Sequence, residues 1–257
     1  MKKGKHEKSN KASGRIIFFV LLAVFIATGS IALYNIIVTN AQYTAAQQEY
    51  TILQEYAPQA VEDPGTEPAD ETKTNDKSDE PVAGSSDSHA LSDLNPDYIG
   101  WIRIDGTGID YPVVQSADNE KYQRLTFRGE KNASGTIFMD NRCTGGFKGL
   151  SILYGHNMRD GSMFADLHRF SEEAFLEAYP DVMIFDPDGE ILIFRIFEVK
   201  ITHTWDPVFT LPDSNQEAVD DYFAEYGLVP GCDILILSTC TKGAKSERLL
   251  VIAERST

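Results

Sequence analysis

The sequence predicts an all-β domain with added helices, preceded by a transmembrane helix and a flexible stalk. Three observations predict this organisation. An uncharged apolar run covers Ile16 to Val38, residues 57–90 are acidic and rich in Pro, Ser and Thr, and short apolar runs alternate with turn residues from Leu91 onward. The chain is therefore divided into a basic tail (1–15), a membrane segment (16–38), a juxtamembrane helix and stalk (39–90) and a globular domain (91–257).

The membrane segment is 23 residues long and carries no charge. About 20 apolar residues suffice to span a bilayer as a helix. Residues 1–15 carry six Lys or Arg and one Glu, so the positive-inside rule places the N-terminus in the cytoplasm and the C-terminal domain outside the cell. A cleaved signal peptide is the alternative, but its apolar core usually has only about 7–15 residues. We therefore expect an uncleaved, single-pass anchor in the cell membrane.

The segment after the anchor combines a helical pattern with an acidic stretch. Tyr43, Ala46, Tyr50 and Leu53 recur at helical spacing, which we interpret as a short juxtamembrane helix acting as an amphipathic spacer. Residues 57–90 contain almost no large apolar side chain, so they cannot bury enough surface to offset the entropy of ordering. They are expected to form a flexible stalk, and a chain starting near Leu91 is expected to fold with nearly full stability.

Eight short apolar runs predict the strands of the domain. They cover residues 100–104, 109–114, 136–139, 150–154, 182–185, 190–203, 233–238 and 248–253. Many short strands separated by turn residues are typical of a β-barrel or a β-sandwich. Two helices are expected to interrupt them: Ser171–Tyr179, which stops at Pro180, and Ser214–Tyr226, which starts with a capping box in a long insertion between two strands.

Composition limits the possible partners. The formal net charge of −16 argues against nucleic-acid binding, which needs clustered Lys and Arg. The sequence contains no C-x-x-C and no H-x-x-x-H spacing, so we predict no metal site and no cofactor.

Three cysteines follow the membrane segment: Cys143, Cys232 and Cys240. An odd number leaves at least one thiol unpaired within the chain. Cys240 ends an apolar strand, and strand ends at the rim of a barrel can present a reactive side chain. The alternative for any single cysteine is a small buried hydrophobic residue.

A cysteine nucleophile acts as a thiolate and needs a cationic neighbour. His156 is the best candidate because it closes another apolar strand and so lies at a rim as well. Arg248 opens the strand that follows Cys240, where its guanidinium could stabilise an oxyanion. The alternative for Arg248 is a surface charge, and an isolated histidine is more often structural than catalytic.

These residues, taken together with several motifs, resemble the sortases, and class B most closely. The motifs are NPDYIGWI at 95–102, YPVVQ at 111–115, GTIFMD at 135–140, YGHNM at 154–158 and LSTC at 237–240. Sortases are membrane-anchored cysteine transpeptidases of Gram-positive cell surfaces. The resemblance implies an eight-stranded sortase-like β-barrel, with Cys240 as nucleophile, His156 as proton donor and Arg248 as oxyanion or substrate ligand. It also implies that Ser238 and Thr239 line the substrate site.

The resemblance further implies the reaction and its partners. The enzyme would cleave a surface protein after Thr in a C-terminal sorting motif, which in class B is often of the form N-P-x-T-N. It would join the product to an amine of a peptidoglycan cross-bridge or of a pilin. Two alternatives remain open: a Cys/His peptidase that releases its product to water, and a non-catalytic surface-binding domain in which Cys240 is inert.

Overall fold

A computed structural model describes residues 6–58, 88–210, 224, 227 and 231–256 of the chain. The chain divides into two compact units, Met1–Ala45 and Ala46–Thr257. The described part of the first unit, residues 6–45, is helical and belongs to α1 (His6–Leu53). The side chains of the apolar run are exposed, and Arg15–Tyr56 is long and apolar enough, by length and composition alone, to cross a membrane. This helix agrees with the predicted membrane segment.

The described residues of the second unit contain a closed barrel of eight strands, which confirms the predicted barrel. The strands are β1 (Tyr98–Arg103), β2 (Asp110–Val114), β3 (Ile137–Met139), β4 (Leu150–Tyr154), β5 (Asp181–Phe185), β6 (Ile191–His203), β7 (Ile234–Cys240) and β8 (Glu247–Arg255). Their order around the barrel is β1-β2-β3-β4-β7-β8-β6-β5, and β5 pairs with β1 to close it. The β2–β3 and β4–β7 pairs are parallel, whereas the other pairs are antiparallel.

The β4–β7–β8 region is buried on both faces. Since side chains alternate along a strand, Leu235 and Leu237 lie on one face of β7, while Ile234 and Ile236 lie on the other. The second face packs in a cluster with Val208, which belongs to the connection between β6 and β7. Strands buried on both faces read as continuous apolar runs, which explains the sequence ILILS at 234–238. This packing fixes the strand that ends at Cys240.

The end of α1 belongs to the barrel unit rather than to a spacer. Ala46, Tyr50 and Leu53 are buried, and Leu53 has no exposed surface. The Tyr50 hydroxyl donates to the carbonyl of Gly135 (2.6 Å) and lies 3.1 Å from the Thr136 hydroxyl. The domain boundary at Leu91 therefore lies too far along the chain, and a chain starting there lacks part of the packed core. The predicted helix is present, but its use as a solvated spacer was wrong, because the same helical spacing of apolar residues occurs on a solvated face and on a packed one.

Two short α-helices and several 3-10 helices complete the described part of this unit. The predicted helix at Ser171–Tyr179 is present as α3, Glu173–Ala178, and α2 (Ser88–Leu94) precedes β1. The predicted helix at Ser214–Tyr226 lies, apart from Ala224, outside the described residues. Most of the predicted stalk also lies outside them.

Candidate active site

A cleft of about 300 Å³ opens where β4 and β7 end and β8 begins. All five site residues expected from the sequence line it: Cys240, His156, Arg248, Ser238 and Thr239. They come from the ends of β4 and β7 and the start of β8, which are adjacent in the barrel; a short turn joins β7 to β8, whereas β4 is far from both in sequence. The β4–β7–β8 pairing is therefore what brings them together.

Cys240 is the last residue of β7 and lies directly opposite Arg248 in the antiparallel pair with β8. Opposite residues in such a pair have Cβ atoms about 5 Å apart and point to the same face. The Arg248 Nη1 atom donates to the carbonyls of Lys245 and Glu247, both at 2.8 Å. These two bonds hold the guanidinium at the wall of the cleft, beside the cysteine.

The other two cysteines are poorly suited to act as thiolates. Burial raises the pKa of Cys143 to about 11. A hydrogen bond with the Glu254 carboxylate raises the pKa of Cys232. Neither residue lines the cleft, so Cys240 is the cysteine placed to act as a nucleophile.

His156 follows β4 after a single glycine. Its Nε2 atom lies 2.8 Å from the carbonyl oxygen of Gln123, and a carbonyl only accepts, so Nε2 carries the proton in this contact. A Cβ atom on Gly155 would lie 2.6 Å from side-chain atoms of both Ile137 and Phe164. Only glycine fits at this position, because any Cβ atom would clash with these two side chains. Gly155 thus allows the tight turn between β4 and His156.

Hydrogen bonds tie this turn to β7. The Gly155 N–H donates to the Ser238 carbonyl (3.2 Å), and the Thr239 hydroxyl donates to the Gly155 carbonyl (2.8 Å). The Asn157 side-chain amide donates to the carbonyl of Cys240 (2.9 Å). The Thr239 hydroxyl therefore has a partner within the chain, and these three bonds set the position of His156 relative to Cys240.

Ser238 differs from Thr239 in this respect. It lies on the same face of β7 as Cys240, two residues away, and it is only 2% exposed. Its hydroxyl has no hydrogen-bond partner among the described groups of the chain. Ser238 thus contributes to the cleft wall a hydroxyl that is enclosed and that lacks a partner among the described groups.

The cleft lining also contains an ion pair that sequence reasoning missed, between the buried Asp140 and the partly exposed Arg142. Arg142 binds both carboxylate oxygens of Asp140 (2.9 and 2.8 Å), and the Tyr154 hydroxyl donates to the same carboxylate (2.9 Å). Burial alone would raise the pKa of Asp140, but the hydrogen bonds from Arg142 and Tyr154 outweigh it, and the pKa lies below its usual value of 3.8. Arg142 also donates to the Phe209 carbonyl (2.9 Å).

We call Cys240, His156 and Arg248 the nucleophile wall, and Asp140, Arg142 and Tyr154 the ionic wall. Asp140 directly follows the apolar strand predicted at 136–139, and Arg142 lies two residues further on. An acid and a base at that spacing are common in loops, so the sequence alone carried no sign of this pair.

Comparison with known proteins gives a consistent result. A sortase domain family model matches residues 102–256, more than half of the chain. The chain is 38% identical over 163 residues to sortase B of Listeria monocytogenes, covering 58% of this chain and 65% of that protein's length.

Solved structures agree with the sequence matches. Sortase B of Clostridium perfringens superposes with a TM-score of 0.59 at 33% identity, covering 66% of this chain and 99% of that one. A Staphylococcus aureus sortase B–substrate complex gives a TM-score of 0.59 at 26% identity, covering 68% and 87%. Since the family model, the named relative and the barrel all agree, this chain belongs to the sortase family and, within it, to class B.

Proposed function

We propose that the protein is a membrane-anchored cysteine transpeptidase. The observation that carries this proposal is the direct opposition of Cys240 and Arg248 across the β7–β8 pair, in a cleft that His156 also lines. A thiolate nucleophile, a proton donor and a fixed guanidinium are the groups that acyl transfer from an amide requires. The relatives named sortase B support the same activity.

The proposed reaction has two halves. The Cys240 sulfur attacks the backbone carbonyl carbon of Thr in the sorting motif, and Arg248 stabilises the negative charge that develops on the carbonyl oxygen. The C–N bond then breaks, and the leaving amine takes a proton from the His156 imidazolium. An acceptor amine attacks the resulting thioester, gives its proton back to His156 and releases the Cys240 thiolate as the new amide forms.

The substrate is proposed to be a surface protein with a C-terminal sorting motif such as N-P-x-T-N. One of the structural relatives was solved as a sortase B–substrate complex, which supports a bound substrate for this chain as well. Ser238 supports the same view, because its buried hydroxyl lies on the face of the nucleophile without a partner. The acceptor is proposed to be an amine of a peptidoglycan cross-bridge or of a pilin.

The location is proposed to be the cell membrane, with the N-terminus in the cytoplasm and the barrel outside. The six basic residues before the apolar run support this orientation. It also places Cys240 on the side of the membrane where surface proteins are attached.

Intact-protein mass spectrometry of the full chain in detergent tests the proposal. Incubation with an N-P-x-T-N peptide should add the acyl fragment to Cys240, and hydroxylamine should convert that adduct into the peptide hydroxamate. The Cys240→Ala variant should form neither species. A product that contains only a free carboxylate, even with excess hydroxylamine, indicates a peptidase instead. An unmodified protein with every peptide indicates a non-catalytic domain.

A further inference from the structure

Two side chains, those of Asn157 and His168, lie close to the backbone carbonyl oxygen of Cys240. The Asn157 Nδ2 atom lies 2.9 Å from the Cys240 oxygen, and the His168 Nε2 atom lies 3.1 Å from the same oxygen. Asn157 Nδ2 and His168 Nε2 are themselves 2.9 Å apart. The catalytic role proposed for Cys240 uses neither side chain. Both contacts converge on the residue whose position matters most for that role.

The Asn157 amide takes the place of a missing backbone bond. The parallel pair of β4 and β7 ends at Tyr154 and Ser238, and the Gly155 N–H still reaches the Ser238 carbonyl. Parallel pairing is evenly spaced, so the next donor, to the carbonyl of Cys240, would be the N–H of residue 157. The turn at Gly155 ends the strand, and the side chain of residue 157 supplies the donor instead. The last residue of β7 is thereby held on its β4 side.

His168 determines which way this amide points. A carbonyl only accepts, so Asn157 must present its NH₂ group, and not its oxygen, to Cys240. The same NH₂ group can donate to Nε2 of a neutral His168, which lies on a 3-10 helix over Ala165–Ser171. In that tautomer Nε2 carries no proton, so its 3.1 Å approach to the Cys240 oxygen is not a hydrogen bond, and Asn157 alone donates to that carbonyl. His168 therefore favours the amide orientation that binds Cys240.

The loop that carries Asn157 is fixed independently. Asn157 pairs with Met163 in an antiparallel bridge, and the Phe164 N–H donates to the His156 carbonyl (3.0 Å). Met163 has a φ of 57°, in the left-handed region that a bulky residue rarely adopts. These contacts fix the positions of His156 and Asn157, so the hydrogen bond from Asn157 fixes Cys240 relative to His156.

We propose that Asn157, oriented by His168, is a positioning residue that holds the nucleophile Cys240 in register with His156. This inference rests on the proposed function of Cys240 and His156. Misplacement of a reacting group by about 1 Å can cost about 10²-fold in rate. Asn157 is not among the residues that line the cleft, so loss of this bond should lower kcat and leave KM almost unchanged.

The test compares steady-state kinetics of the full chain in detergent, with an N-P-x-T-N peptide and hydroxylamine. Asn157→Ala should lower kcat by about 10- to 100-fold, with KM within about twofold of wild type. Asn157→Asp should be at least as impaired, because a carboxylate of the same shape repels the Cys240 carbonyl. A role in filling space predicts the opposite order, with Asp better than Ala. His168→Phe should lower kcat by a smaller factor.

Gln54→Ala is the matched control, since the Gln54 side-chain amide also donates to a backbone carbonyl, that of Asp110 (3.2 Å), but outside the cleft. It should leave kcat unchanged. Wild-type kcat in Asn157→Ala overturns the inference. If that variant fails to fold, wild-type kcat in His168→Phe overturns it equally.

A second readout separates this inference from the proposed function. The rate of Cys240 alkylation by iodoacetamide at neutral pH needs no sorting peptide. It should fall in Asn157→Ala, because the thiolate depends on a cationic neighbour held in place. An inactive wild type whose alkylation still slows on loss of Asn157 contradicts only the proposed substrate. An active wild type with unchanged alkylation and kcat in the variant contradicts only the positioning role.

Discussion

The two walls of the cleft are held by different forces. In the nucleophile wall, Cys240 and His156 are fixed by neutral hydrogen bonds to backbone groups, from Gly155, Thr239 and Asn157, whereas the Arg248 guanidinium donates to two carbonyls. The ionic wall is fixed by a carboxylate and a guanidinium, with Asp140 fully buried. Neutral bonds keep their geometry when a neighbouring group gains or loses charge, whereas an ion pair keeps its geometry only while both partners are ionised.

This difference fits what each wall has to do. His156 is proposed to change its charge twice in every reaction cycle, so a support that does not depend on charge keeps it in place. No residue of the ionic wall changes its charge in the proposed mechanism. Its Arg142 side chain donates a hydrogen bond to the carbonyl of Phe209, another residue that lines the cleft. Changes in the nucleophile wall should therefore lower turnover, whereas changes in the ionic wall should lower stability and substrate affinity.

Arg248→Ala should give the largest effect on turnover after loss of the nucleophile itself. Removal of an oxyanion donor typically lowers kcat by about 10²–10³-fold. Arg248→Lys should also be impaired, because it keeps the charge but loses the planar fork. Arg255→Ala is the matched control at the other end of β8, where Arg255 pairs with Asp233 and Glu190. Turnover at the wild-type rate in Arg248→Ala would remove Arg248 from the nucleophile wall.

His156→Ala should lower kcat by at least about 10²-fold, the usual contribution of a positioned general acid. KM should change little, because the imidazole acts on the leaving amine. His203→Ala is a suitable control, since His203 is exposed and stacks on Trp205. A reduction of the same size in both variants, measured with the same peptide, contradicts a specific role for His156.

Arg142→Ala tests the ionic wall, with an expected loss of about 2 kcal/mol in unfolding free energy at pH 7, because a buried carboxylate loses its partner. The folded-state pKa of Asp140 is depressed, so its contribution in the wild type is present above the unfolded pKa and is lost as pH falls below 3.8. In the variant, burial raises the pKa instead, and protonation relieves the buried charge.

The stability deficit of Arg142→Ala should therefore shrink as the pH falls from 7 towards 4, as chemical denaturation at several pH values would show. Its kcat should stay closer to wild type than its KM. A deficit that does not depend on pH contradicts the ionic character of this wall.

Tyr50→Phe should give the smallest effect, about 1 kcal/mol, for the lost bond to Gly135. For a chain of this size the melting temperature should fall by about 2–4 °C. The cleft residue Thr136 keeps its own bond to the Leu125 carbonyl, so turnover should not change. Tyr34→Phe is the control, because Tyr34 is exposed in the apolar run. A clear loss of turnover in Tyr50→Phe would mean that the helix end takes part in shaping the cleft.

The sequence predicted the strands and the nucleophile wall better than it predicted their supports. Cys240 and Arg248 stand at the ends of apolar runs, and strand pairing places such ends side by side. Asn157 and Arg142 are also close to recognisable motifs, but their partners depend on how side chains point. The bond from Asn157 joins residues 83 positions apart, and no local pattern encodes it. The packing of Tyr50 was missed because a helical spacing is the same in water and in a core.

The hydroxyl of Ser238 has a consequence for ligand selection. A buried polar group without a partner costs about 1–3 kcal/mol relative to one that is satisfied. A peptide that offers a polar atom at that point recovers this energy on binding, whereas an apolar analogue of the same shape does not. Sites built in this way reject the analogue far more strongly than hydrophobic pockets reject a missing methylene. Under the proposed function, the unpartnered Ser238 hydroxyl, two residues from Cys240 on the same face of β7, would then act as a filter on which peptides bind next to the sulfur.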